Sequence, residues 1–85
     1  MSRLRAHVSA CPTEEGMVLL DERTGRYWQL NATGAAVVAA LLDGATPEQV
    51  ADRLAAARPV SRERAAADVT ALLEALIRAN LVSLS

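Results

Sequence analysis

The chain has 85 residues, so it is read as one domain spanning 1–85, with a formal net charge of −1. A chain this short buries only about 60 to 65% of its unfolded surface, which excludes a large enzyme fold. Hydrophobic residues make up 52% and charged ones 22%, enough apolar material for a packed core and too little charge for a disordered tail.

Tyr27 and Trp28 are the only aromatic residues, so the core must be built from Leu, Val, Ile and eighteen Ala, and small side chains let helices approach closely. Nine Arg and no Lys stand against ten Asp plus Glu, a near balance that speaks against a nucleic-acid module, whose binding face carries a basic excess. The lone Cys11 cannot form an internal disulfide, and with His7 it falls short of the four ligands of a structural zinc site. No apolar run approaches the roughly 20 residues of a membrane span, and Met1 to Ala10 lacks the apolar stretch of a signal peptide. The expectation is a cytoplasmic protein with no cofactor, no membrane partner and no nucleic-acid partner.

From Leu4 to Ala10 a period-2 pattern predicts a half-buried strand with Leu4, Ala6 and Val8 on one face. Pro12 to Gly16 reads as a turn, Met17 to Leu20 as a second strand, and Asp21 to Gly25 as a hairpin loop closed by a glycine able to take positive φ. Arg26 to Leu30 returns as the third strand, with Arg26, Trp28 and Leu30 on the face toward the helices and Tyr27 and Gln29 on the other. Asn31 is placed as a helix N-cap, and Val37, Val38, Leu41 and Leu42 give the first helix its apolar side before Gly44 stops it. Thr46, Pro47 and Gln49 form a strong start signal for a second helix running to about Ala57. After a break at Arg58 to Ser61, Val69, Leu72, Leu73, Leu76 and Ile77 predict a third helix from about Arg62 to Asn80. The fold class is α+β: a three-stranded antiparallel meander followed by three helices, a winged helix-turn-helix.

Catalysis has no support in this pattern: there is no phosphate loop, metal-ligand spacing or nucleophile elbow, and His7 and Cys11 read as ordinary surface residues. DNA binding suits the architecture, but the exposed face of the third helix mixes Arg62, Arg64 and Arg78 with Asp68, Glu74 and alanines, a poor match to a phosphate backbone. The third strand is a sheet edge, whose unpaired N–H and C=O groups an extended peptide can satisfy by adding a strand. The helix carrying Asp68, Val69, Leu72 and Leu76 would then wall a groove beside that edge. The bland alternative, that Trp28 and the Val69 to Leu76 stripe are simply core, stays open on composition.

The runs Gly16-Met-Val-Leu-Leu-Asp21, Gly25-Arg-Tyr-Trp-Gln-Leu-Asn31, Thr33-Gly34-Ala35 and Leu41-Leu-Asp-Gly44, then Thr46-Pro-Glu-Gln-Val-Ala51, Asp68-Val69, Leu72-Leu73 and Leu76 through Val82, resemble the PqqD-like family of RiPP recognition elements. The resemblance covers about residues 4 to 83 and departs from the family at Val38, where a large aromatic is common, and at Asn80, where Gly is common. It implies a domain that catalyses nothing and binds the leader of a ribosomally made precursor peptide as an antiparallel strand on the third strand, against the third helix. Carried over residue by residue, it points to the backbone of Arg26, Tyr27, Trp28, Gln29 and Leu30, and to Arg64, Asp68, Val69, Leu72 and Leu76. The chain looks most like the discrete leader-binding protein of actinobacterial lasso-peptide clusters. The implied partners are a separate transglutaminase-like cysteine peptidase that removes the leader and a lasso cyclase that closes the core peptide. A PqqD-type chaperone for a radical SAM enzyme and a small DNA-binding regulator are the alternatives.

Overall fold

A computed structural model describes residues 2–84. In chain order the elements are β1 (Ser2–Leu4), β2 (Val8–Pro12), β3 (Gly16–Asp21), β4 (Tyr27–Asn31), α1 (Ala32–Leu42), α2 (Pro47–Ala57), α3 (Arg62–Arg78) and β5 (Val82–Leu84). The antiparallel meander β2-β3-β4 and the three helices are those the sequence predicts. The apolar side of the meander, centred on the fully buried Leu19, packs on α1 through Val37, Val38 and Leu41. α2 packs on α3, and the buried face of α3, Ala65, Val69, Leu73 and Leu76, completes the core.

The predicted first strand is two strands. Chain direction changes at residues 5–7, where the Val8 N–H donates to Arg5 O at 3.0 Å and the Arg5 N–H donates to Leu81 O at 2.9 Å. The segment before that turn, β1, leaves the meander and pairs antiparallel with β5, Ser2 opposite Leu84. The period-2 pattern runs straight through the break because Leu4 and Val8 are both drawn inward, Leu4 against the core and Val8 into it. The pairing of β1 with β5 joins residues about eighty positions apart, which no local pattern announces.

His7 is not the surface residue its place in the pattern suggests. Its side chain is half-buried, with Nε2 3.2 Å from Asn80 O and 4.0 Å from Asp21 Oδ2. It sits where the first turn, the end of α3 and the start of the β3–β4 loop meet. Asn80 itself stands at φ 64, a left-handed conformation in which Asn is the commonest substitute for Gly. The Leu81 N–H donates to Leu76 O and the Asn80 N–H to Ile77 O, both at 3.0 Å, so the helix ends in a Schellman motif and Leu81 folds back into the core. The departure from the family's Gly therefore keeps the backbone geometry.

The other helix starts follow from their caps. Asn31 Oδ1 accepts the Gly34 N–H at 2.8 Å, Thr46 and Gln49 form a reciprocal capping box, and Ser61 Oγ accepts the Arg64 N–H at 3.1 Å. Each such cap is worth about 1 kcal/mol.

Asp21 is a buried carboxylate, 5% exposed. Burial alone raises its pKa, but the Arg23 N–H at 2.9 Å, the His7 ring, the Thr24 N–H and the Arg23 guanidinium outweigh it, and the carboxyl sits below its ordinary range. A carboxylate with a depressed folded pKa contributes stability that is present above the unfolded value of about 4 and lost as pH falls through the folded value. The melting temperature of the protein is thus expected to exceed that of Asp21→Asn near neutral pH, with the gap closing below about pH 4. Thermal melts of both proteins from neutral pH into acid check this, and a gap that widens in acid contradicts it.

Candidate functional site

β4 pairs with β3 on one side, Leu19 opposite Trp28 and Leu20 opposite Tyr27, and with nothing on the other among the described residues. The chain's own last strand is engaged with β1 and so does not cover this edge. The Asp21 N–H donates to Arg26 O at 2.8 Å, so by antiparallel alternation Trp28 and Leu30 also turn their backbone groups toward β3. The N–H and C=O groups of Tyr27 and Gln29, with the N–H of Asn31, therefore face outward, a row of donors and acceptors at the spacing of a strand, while the Asn31 C=O belongs to the start of α1.

Beside this edge runs a cleft. β4 packs on β3 and α1, with no comparable contact to α3, and the space between the strand and the helix opens at one end into a cavity of about 520 Å³. Its walls are Asp21, Arg23, Thr24, Arg26 and Trp28 from the hairpin, and Ala75, Arg78, Ala79 and Asn80 from the end of α3. Trp28 is half-buried and packs against the core, and the Arg26 guanidinium lies over its ring, 5.5 Å from the centroid. Leu30, also half-buried, continues the inward face toward the other end of the strand. Tyr27, 63% exposed, and Gln29 point away from the helices.

The helix residues named from sequence divide into two groups. Val69 and Leu76 are 1% and 3% exposed; they hold α3 against the core and lie beneath the surface a guest would touch. Leu72 is half-buried at the core margin, while Arg64 and Asp68 are exposed and 3.8 Å apart one turn from each other. An exposed pair of this kind is worth a few tenths of a kcal/mol, so Asp68 is free to exchange its partner. Sequence reasoning missed Ala75, Arg78 and Ala79. Successive helical steps of four, three and four lead from Asp68 through Leu72 to Ala75 and Ala79, and their small side chains leave the room that a Leu or Phe would fill.

A second apolar groove, about 370 Å³, lies between α1 and α2 and is lined by Val37, Val50, Leu54 and neighbours, with Arg53 and Arg58 at its rim. It has no strand edge in its wall, so a guest there finds no backbone ladder to extend. Among the described residues no helix is long and apolar enough to cross a membrane, and no three His, Cys, Asp or Glu side chains come together as a metal site would need.

This arrangement has counterparts of known structure. Lasso peptide synthetase B1 complexed with the leader peptide superimposes with a TM-score of 0.93 at 43% identity, over 98% of this chain and 98% of that one. TbiB1 in complex with the TbiA(beta) leader peptide superimposes with a TM-score of 0.88 at 28% identity, over 98% of this chain and 96% of that one. No curated protein matches the chain. Residues 16–82 match the family described as Coenzyme PQQ synthesis protein D (PqqD), a span that takes in the free edge, the cleft and all three helices. The chain therefore belongs to the PqqD family, as a PqqD-like RiPP recognition element.

Proposed function

We propose that the protein is a non-catalytic adaptor that captures the leader segment of a ribosomally made precursor, of the lasso-peptide class, as an added strand. The leader lies antiparallel along β4 in the cleft against α3. The observation that carries this reading is the uncovered β4 edge beside an open cleft in which Trp28, Ala75 and Ala79 stand among charged side chains; the leader-bound state of its two structural relatives supports it. Backbone pairing supplies affinity tolerant of sequence, and side chains entering the cleft at every second position supply selection. A disordered leader loses entropy on ordering, so a few well-buried contacts must carry the complex. Held in this way, the leader is presented to a separate cysteine peptidase, and the tether raises the local concentration of the cleavage site.

Titration of the purified protein with a fluorescent leader peptide from the neighbouring reading frame tests the reading; no saturable binding up to high micromolar peptide overturns it. Gln29→Pro tests the strand-addition mode itself. The Gln29 N–H faces outward, and proline is tolerated on an edge strand where its nitrogen points away from the ladder. The variant is expected to unfold at nearly the wild-type denaturant concentration while binding leader about tenfold more weakly, the worth of one backbone hydrogen bond plus the obstruction of the ring. Unchanged affinity in a folded Gln29→Pro protein means that the leader does not use this edge.

The family's description as a coenzyme synthesis protein favours a second reading, a peptide chaperone for a radical enzyme. The two differ in the downstream partner, so co-elution of the leader complex with a cysteine peptidase or with a radical enzyme separates them.

A further inference from the structure

The open end of the cleft is a cationic mouth. Arg23, Arg26 and Arg78 line it together with one acidic residue, Asp21, and with Trp28 and Asn80. Arg23 is committed to Asp21, 3.8 Å away, whereas among the described residues neither Arg26 nor Arg78 is paired with a carboxylate. Arg26 is already held over the Trp28 ring, so less side-chain freedom is lost when it meets an anion. The carbonyls at the end of α3, which would repel an anion, are partly occupied: Leu76 O and Ile77 O accept the Schellman bonds and Asn80 O lies against His7. In a protein whose net charge is −1, two free guanidiniums converging on one cavity are a local exception.

Every strand pairing among the described residues is antiparallel. A guest strand that keeps the pattern on β4 runs from Asn31 toward Tyr27 and leaves the cleft past Arg26 with its C-terminal end. We infer that this mouth is a carboxylate-recognition site for the stretch of precursor that follows the strand-forming part of the leader, with Arg26 and Arg78 as its two arms. It rests on the leader-binding reading and adds a charge requirement to it. An acidic residue there anchors the peptide just before it leaves the protein, fixing both the register of the added strand and the direction in which the cleavage site projects.

The experiment uses two fluorescent versions of the neighbouring leader, identical through the segment that gains amide-exchange protection on binding and carrying either Glu or Gln at the three positions after it. Both are titrated at low salt against the wild-type protein and the Arg26→Gln/Arg78→Gln double variant, whose altered side chains are exposed and whose fold is checked by circular dichroism. The expected result is saturable binding of both peptides to wild type, with the Glu version about tenfold tighter, an advantage that shrinks with added salt and disappears in the double variant. Equal affinity of the two peptides for wild type overturns the carboxylate site and leaves leader binding standing. A Glu preference that persists in the double variant also overturns it, because the charge is then read elsewhere. Failure of both peptides to bind wild type overturns the leader-binding reading itself.

Discussion

Gly16→Ala is expected to lower stability by about 2 to 3 kcal/mol, well beyond the effect of an ordinary surface change. A Cβ on Gly16 would collide with Leu30 O and stand 2.6 Å from the Asn31 carbonyl carbon. Both obstacles are backbone, so no rotamer change relieves them. The two strands must part where Gly16 faces Asn31, and Asn31 is also the cap of α1, so relief at one point strains both the end of β4 and the start of the helix. Gly25→Ala is the control. Gly25 has φ 76 and open space around the added carbon, so its cost is backbone strain alone, about 1 kcal/mol. Urea unfolding of the three proteins checks the order, and a Gly16→Ala protein within about 0.5 kcal/mol of wild type contradicts the close strand approach.

Trp28→Ala is expected to weaken leader binding by about 1 to 3 kcal/mol, roughly 5- to 150-fold, the range of an interface anchor. Trp28 faces the cleft on one side and the core on the other, and it carries Arg26 on its ring. Its loss removes apolar floor and frees the guanidinium at once. Because the ring also packs against the core, its truncation costs folding stability, and Leu72→Ala serves as the second variant. Leu72 sits at the core margin on α3, one turn before Ala75, and a loss in the same range is expected there. Fluorescence polarisation of a labelled leader with both variants, each shown folded by circular dichroism, provides the check; unchanged affinity in both means that the groove is elsewhere.

Much of this architecture was legible because its signals are local. Asn31 and Thr46 with Gln49 each mark a helix start through a side chain three residues from the N–H it caps, and the structure places the first two helices there; Ser61, read along the chain only as part of a break, caps the third. The strand with one aromatic pair, Tyr27 and Trp28, alternates outward and inward as its period requires. What stayed hidden depends on distant partners. The pairing of Ser2 with Leu84 and the approach of His7 to Asn80 involve residues that neither composition nor periodicity connects.

The site shows the same division. A sheet edge and an apolar helix stripe can be read along the chain, yet which members of the stripe face the cleft depends on how α3 is rolled against α2. That roll puts Val69 and Leu76 underneath and brings Ala75 and Arg78 to the wall. An alanine gives no sequence signal of function, since its contribution here is the volume it does not occupy.

The antiparallel clasp between β1 and β5 has a bearing on how the molecule is put together in space. Ser2 lies opposite Leu84, so the chain enters β1 and leaves β5 at the same pole of the particle, and a bridge of a few residues would span those two positions. A carrier or an enzyme joined ahead of β1 or after β5 would project from that one pole, whichever of the two strands it continued.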